Sequence, residues 1–469
     1  MRSPGELPSL RASIRLGDKG DNVSTCFYDV KFYPYVLPGE DLLFAVTGDK
    51  HTIICRPVLE KDNAIEILRW FVDEETNEDG EPNASLNSLE WTQDFETGEP
   101  LVCVTGSNPK IKLLNVCTGA LVKTLTGHGS LVNDLAVSPL TPHVLASCSE
   151  DYTVRIWCLD PKYEKQPCAL MCAGGLGEGH KEAVLTIAWH RTGRYLLSGG
   201  MDTVVNMWVI PDLPNEDTGT DNMTIIHYPH FSTSEIHRDY VDCVRFYNDL
   251  ILSRSAKENK ILLWRIDGFN SSHPPPPSTS APPKTSSSPP TRSAFGARFQ
   301  RLLQFEAPLT NLFYMRFGLF HAPEKHPILV MGNERSKLFF WDLQALEEGF
   351  EASDPQQHGR GGRGGYRGRG KSALGSGRQG VLREESIASN VSGVSSNVGS
   401  VGVSSATSTG SGGERKWNIG DPFRGIVAHK SITVGKVTFA TRALGWSGGG
   451  EWCVAVGDNG MICLFRRWE

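Results

Sequence analysis

The chain has 469 residues, 39% of them apolar, a net charge of −6 and a pI near 6.1. This supplies one large core or two modest ones, and the acidic balance excludes a nucleic-acid polycation. No apolar run reaches the length of a membrane span, and the opening MRSPGELPSLRASIRLGDKGD lacks a secretory apolar core, so no membrane partner is expected.

Residues 1–21 are polar and read as a flexible N-terminus. From Val23 onward, short runs rich in Val, Ile, Phe and Tyr alternate with polar breaks, the pattern of strands joined by tight turns. They group into seven repeats across 22–469. The first, about 23–58, carries CFYDVKFYP, DLLFAVTG and HTIICRP. The second, about 65–118, is interrupted by VDEETNEDGEPNAS, whose acids Asp73, Glu74, Glu75, Glu78, Asp79 and Glu81 read as a solvated loop. Strands resume at LNSLEWT, LVCVTG and IKLLNV.

The third repeat has Gly127-His128, Ser147, Asp151 and Trp157, and the fourth has Gly179-His180, Ser198, Asp202 and Trp208. In both, Ser stands four residues before Asp, and Trp stands six after it. Agreement on both spacings is the signature of WD repeats, whose Trp, Ser, His and Asp form a buried hydrogen-bonded chain. Such a chain must be complete, since each unsatisfied member costs ~1–3 kcal/mol. The His–Ser–Asp sets resemble a hydrolase triad only superficially, because they recur once per repeat, each with its own Trp. The fold expected is therefore all-β, a seven-bladed WD-repeat β-propeller with disordered inter-blade insertions.

The fifth repeat, Ile225–Asp267, opens on His237 and closes on Trp264, with strands at Tyr240–Tyr247, Leu250–Arg254 and Lys260–Ile266. After it comes a Pro/Ser tract (270–298) whose composition reads as a disordered insertion. The sixth, about 302–346, has strands near FYMRF, PILVMG and KLFFWDL and holds a literal WD dipeptide, Trp341-Asp342. Residues 349–414 form a second low-complexity insertion, expected to be disordered. Its basic half carries Arg360, Arg363, Arg367 and Arg369 with Tyr366 among them, and reads either as a linker or as an RGG-type patch able to meet the phosphates and bases of RNA. The seventh repeat, about 416–469, has strands at KVTFA, WCVAVGD and ICLFRRW. Ring closure should come from N-terminal residues supplying its missing outer strand, which removes a sheet edge.

Eleven cysteines are scattered without a CxxC pair, and Cys168 and Cys172 have no partners at zinc spacing, so neither metal nor cofactor is expected. Cys103, Cys148, Cys243 and Cys453 lie in strand-like runs as reduced apolar residues, the usage of a reducing compartment. No Gly-rich phosphate loop or unshared nucleophile–base pair stands out, so no catalytic residue is expected. A propeller presents one rim residue per blade, four positions upstream of the large residue of the innermost strand. These are Tyr28, Asn87, Asn133, Leu185, Asp242, Phe313 (with Tyr314 beside it) and Gly435. Blades 6, 7 and 1 are neighbours in a closed ring, so Phe313, Tyr314 and Tyr28 can converge. Converging rings either pack the channel or accept a quaternary ammonium.

The phrases IHYPHFST, IHRDYVDCVRF and DLILSRS in the fifth repeat resemble the EED, or extra sex combs, family of Polycomb propellers. The resemblance implies a noncatalytic, nuclear subunit of Polycomb repressive complex 2. It would scaffold an Enhancer-of-zeste-type SET methyltransferase and a Suz12-type subunit, bind a trimethyl-lysine histone tail in an aromatic cage, and stimulate the enzyme. Carried over, Tyr28 stands where the family has Phe, Phe313 where it has Trp, and Tyr314 where it has Tyr; Arg316 and Asp242 also match. Asn87 replaces a cage Tyr, and Gly435 stands where the family has Arg. The alternatives are a pure scaffold, an RNA-associated propeller, or a ubiquitin-ligase adaptor. Leu343 and Gln344 after the WD dipeptide count against the adaptor, which usually has Arg two residues beyond it.

Overall fold

Strands this short bury one face only by stacking sheet on sheet, and a computed structural model shows seven sheets doing so, antiparallel except where Thr224–Ile226 and Gly425–Ile426 add parallel strands to two of them. The structure describes residues 5–16, 25–37, 40–59, 64–75, 85–175, 178–296, 298–348, 419–435 and 437–468. Blade 1 comprises Asp29–Phe32, Phe44–Gly48, His51–Pro57 and Ile65–Val72, and blade 2 comprises Leu86–Gln93, Pro100–Gly106, Lys110–Asn115 and Leu121–Thr126. The innermost strands of blades 3 to 7 are Val132–Val137, Val184–Trp189, Val241–Tyr247, Gly318–Phe320 and Thr441–Trp446.

Seven buried apolar clusters fill the spaces between the sheets, one for each neighbouring pair. The cluster joining blades 7 and 1 packs Phe27, Val30 and Val46 with Ala443, Val454 and Ile462, so the ring closes on apolar burial. It also closes through the backbone. Ser9–Arg15 pairs antiparallel with Met461–Arg466, Ile14 opposite Ile462, and completes blade 7 as its outer strand. The flexible N-terminus expected over 1–21 is thus a strand in its middle; polarity misled because this outer strand is partly exposed, while Ala12, Ile14 and Leu16 pack on the closing cluster.

The insertion at 270–298 also departs from expectation. Among its described residues, Thr291–Ser293 pairs antiparallel with Phe231–Thr233 as the fifth strand of blade 4. Phe295 packs 5.3 Å from Phe269, which in turn stands 4.9 Å from Tyr195. Composition registers the prolines and serines but not the two anchors, Phe269 and Phe295, that tie the tract down. Residues 349–414, with Arg360, Arg363, Arg367 and Arg369, lie outside the described residues, as do 76–84 of the acidic loop. The part of that loop that is described is ion-paired rather than simply solvated: Asp73 and Glu75 meet Lys112, and Lys110 meets Glu75. The bonds from Lys110 and Lys112 outweigh burial and bring the Glu75 carboxyl down to about 2.

Candidate functional site

The repeated polar sets come together inside their blades. Trp157 Nε1 donates to Ser147 Oγ at 2.8 Å, His128 Nε2 is 2.7 Å from that oxygen, and His128 Nδ1 is 2.9 Å from Asp151 Oδ2. Blade 4 repeats this with Trp208, Ser198, His180 and Asp202 at 2.9, 2.8 and 3.0 Å. A carboxylate only accepts, so Nδ1 carries the imidazole proton, Nε2 accepts from Ser, and Trp donates to Ser. Blade 5 holds a third set that the spacing rule missed: His237, Ser253 and Trp264 with Glu258 in place of Asp. Glu258 is one residue further from its Ser than the Asp spacing allows, and its longer side chain makes up the difference. All three sets tie the blades together internally, away from the channel rim.

At the rim, the innermost strands carry a register shift at Asn87, Asn133, Leu185, Asp242 and Arg442. A bulge re-aims a side chain, here at the same level in five blades. The last of these residues corrects the expected position. Val437–Ala440, the described part of KVTFA, is not a strand; blade 7 begins at Thr441, Trp446 is its large inner residue, and the rim residue four upstream is Arg442 rather than Gly435. Gly435 lies in an open loop: among the described residues, apart from its chain neighbours, no atom comes within 4 Å of where a Cβ would stand. The signal was present in the sequence as Trp446, obscured by the nearer Phe439. Likewise FYMRF precedes rather than forms blade 6's inner strand, Gly318–Phe320.

That non-strand segment carries Phe313 and Tyr314. Tyr314 adopts a left-handed φ of 62°, a costly conformation for a bulky residue. It is held there from three sides. Its N–H donates to Asp242 Oδ2 at 2.9 Å, and its hydroxyl reaches across the ring to the Asn133 carbonyl. Arg316 lies against its face, the guanidinium carbon 5.0 Å from the ring centroid. Arg316 is itself fixed by Asp134 Oδ1 at 2.7 Å and the Asn133 carbonyl at 3.0 Å. Burial is the largest influence and opposes its charge, but Asp134, Tyr314 and Asp29 together outweigh it and keep the guanidinium protonated. Asp242 is buried on Arg254 and the Tyr314 backbone, so it supports the rim from beneath.

Tyr28 is half-buried, at 82° to Tyr314 with the centroids 6.0 Å apart, and Phe313, 39% exposed, stands 5.0 Å from Tyr314 at 89°. Perpendicular rings at these separations let a cation stand within ~6 Å of more than one face. Arg442 borders the group: its guanidinium carbon is 5.6 Å from the Tyr28 centroid, and its nitrogens donate to the Phe313 carbonyl at 3.1 Å and to Asp458 at 2.7 and 3.2 Å. Burial pulls this guanidinium down, but Asp458 more than offsets it. Asn87 is half-buried on the blade-2 strand that lies against blade 1. Among the described residues no group of His, Cys, Asp and Glu could hold a metal.

The WD domain, G-beta repeat family matches residues 119–158 and 173–209, the third and fourth repeats. Over 99% of its length the chain is 37% identical to Polycomb protein EED of Chaetomium thermophilum, covering 96% of that protein. It belongs to the Polycomb EED family. A more distant EED-family relative, Polycomb protein esc of Drosophila melanogaster, is 26% identical over 72% of each chain. The crystal structure of the Chaetomium thermophilum polycomb repressive complex 2 contains a chain 33% identical that superposes with a TM-score of 0.79 over 99% of both chains. A chain from that complex with histone three trimethylated at lysine twenty-seven matches at 33% identity and a TM-score of 0.78, over 99% of this chain and 98% of that one.

Proposed function

We propose that this chain is the noncatalytic scaffold subunit of a Polycomb-type histone lysine methyltransferase complex in the nucleus. Its partners are an Enhancer-of-zeste-type SET methyltransferase and a Suz12-type subunit. It reads a methylated lysine of a histone tail at Tyr28, Phe313, Tyr314 and Arg442, with Asn87 beside them and Arg316 and Asp242 as supports. Bound mark stimulates the methyltransferase by favouring its active conformation. The observation that carries this is the 37% identity across 99% of the chain. The perpendicular rings at the rim support the reading function, and Arg442 restores there the guanidinium that Gly435 lacked.

A pure scaffold is the second reading, favoured by the two guanidiniums already lying over Tyr28 and Tyr314. Titration of the full chain with methylated and unmodified histone-three tail peptides separates the two. A reader binds the methylated peptides preferentially and loses ~0.5–2 kcal/mol in Phe313→Ala. Equal affinity for all peptides by folded protein leaves the scaffold alone. RNA contact through Arg360, Arg363, Arg367 and Arg369 rests on composition; it requires that deleting 358–371 lower RNA affinity and flatten its salt dependence.

A further inference from the structure

The strap that the Pro/Ser tract lays on blade 4 borders a cavity of about 580 Å³, lined by Pro282, Pro283, Ser288, Arg292 and Arg298 with Glu235. Glu235 is the one carboxylate there, and the Thr291 hydroxyl donates to it. Arg292 lies on the strand Thr291–Ser293, 8% exposed, and donates to the Pro282 carbonyl at 3.1 Å. Burial pushes its guanidinium below the ordinary value. Lys284 stands beside Lys181; burial first, then Lys181 and Arg292, push its ammonium down, and Asp202, bound to His180, offsets this only in part. Among the described residues, none of Lys181, Lys284, Arg292 and Arg298 has an ion-pair partner. Like charges crowded without a counter-ion are destabilising, and an anion placed among them relieves the strain.

The strap carries its own attachment point for that anion. Ser288 and Arg292 hold consecutive carbonyls: the Ser288 hydroxyl lies 3.4 Å from the Pro283 oxygen, next to the Pro282 oxygen that Arg292 takes. A turn over 285–288 keeps the same hydroxyl 2.8 Å from Thr285 N and 3.0 Å from Thr285 Oγ1. Pro289 follows Ser288, the dipeptide that proline-directed kinases accept. The other described dipeptides of this kind are out of reach. Ser138, before Pro139, is buried, and Thr141-Pro142 sits in the tight connection between Val132–Val137 and Val144–Ser149. The segment around Ser288 can be drawn into a kinase cleft. Among the described residues, its backbone from Pro282 to Pro289 makes a single backbone–backbone hydrogen bond, the turn's own, from Ser288 N to Thr285 O at 3.1 Å. We propose that Ser288 is a phosphorylation site for a proline-directed protein kinase, and that Arg292, Lys284 and Lys181 hold the phosphate and tie the strap to blade 4. In the transfer, Ser288 Oγ attacks the γ-phosphorus of the kinase's nucleoside triphosphate. The new Oγ–P bond replaces the P–O bond to the nucleoside diphosphate, which leaves with the electron pair, and the hydroxyl proton passes to the kinase's base.

The test treats the full chain with a proline-directed kinase, ATP and magnesium, maps the modified residue by mass spectrometry, and follows the phosphate's second ionisation by phosphorus NMR. A peptide of residues 280–294, treated in the same way, is the reference. Phosphate is expected on Ser288 and absent from Ser288→Ala. A phosphoserine ordinarily loses its second proton near pH ~6. Neighbouring cations favour the dianion, so on the folded chain that value should fall by about one unit relative to the peptide. Arg292→Gln, its fold checked by thermal denaturation, should still take the phosphate but return the value toward that of the peptide. Lys284→Gln, in the strap itself, should move it part of the way and serves if Arg292→Gln does not fold. Three results would overturn the proposal. The kinase could modify the peptide but not the folded chain, or modify Ser286 or Ser287 in place of Ser288. The phosphate on Ser288 could also titrate as it does in the peptide, which would show that the cations do not hold it. A lowered value that survives both Arg292→Gln and Lys284→Gln would remove these residues as its cause and overturn the cradle.

Discussion

The buried His sets make acid the destabilising direction. His237 is pushed below its ordinary value of 6.5, burial outweighing the pull of Glu258. Burial raises Glu258, but the bond and charge of His237, with Ser255 and Lys260, together outweigh it and bring it to about 2 from 4.5. A folded His that resists protonation contributes stability that is full above 6.5 and falls as pH drops below it. A carboxylate with a depressed value adds a second loss, from its ordinary value down toward 2. His128 and Asp151 shift in the same directions. Urea midpoints are therefore expected to fall steadily from pH 7 to pH 4; a flat profile would show that these sets do not titrate on unfolding. Within a set, Ser147→Ala strips Trp157 Nε1 and His128 Nε2 of their shared partner at 2.8 and 2.7 Å. The expected loss is ~1–3 kcal/mol by equilibrium denaturation. Ser253→Ala should match it in blade 5 if Glu258 substitutes fully for Asp.

Elements were legible in the sequence wherever a local pattern fixes them and obscure wherever a distant partner does. The strand runs of blades 3 to 5 were readable because the Trp, Ser and turn residues lie within one repeat. Blade 7's inner strand was misplaced by one aromatic: Phe439 is buried in the cluster between blades 6 and 7, but Trp446 ends the strand. At the rim, the convergence of Tyr28, Phe313 and Tyr314 was legible, while Arg442 was lost with the register. The Pro/Ser tract was unreadable because its order comes from pairing with Phe231–Thr233, some sixty residues earlier in the chain. If Phe295 anchors it, Phe295→Ala should release the strap. Limited trypsin digestion then cuts after Lys284 in the variant and spares that bond in the wild type; equal cleavage would show the anchor to be irrelevant. Removing 5–16 takes Ile14 and Leu16 from the closing cluster. It should lower stability by on the order of 3 kcal/mol, read as a lower melting temperature, and leave the blade 7 edge open to association in size-exclusion chromatography.

At the scale of the whole molecule, the ring is held by apolar clusters between blades and by one polar network across its centre. Asp134 of blade 3 accepts from Arg316 beside blade 6 at 2.7 Å, from Ser88 of blade 2 at 3.2 Å and from Ile187 N of blade 4 at 3.1 Å. Ser88 also meets Asp29 of blade 1 at 3.2 Å. Burial raises the Asp134 carboxyl, but Arg316 and then Lys31 outweigh it and hold it ionised. The pair is therefore charged on both sides in a desolvated centre, where a lone charge is far more costly than the pair is stabilising. Arg316→Met should cost ~3–5 kcal/mol, and Asp134→Asn a similar amount, because each strands the other's charge. The double variant strands neither, so it should fall well short of the sum, with a coupling of ~1–3 kcal/mol in a cycle measured by urea denaturation. Because Tyr314 rests on Arg316, the same Arg316→Met should weaken histone-peptide binding even where the protein remains folded, whereas Ser147→Ala, in a blade interior, should not. Additive costs together with unchanged peptide affinity would mean that centre and rim are independent, and that the network holds the ring without setting the site.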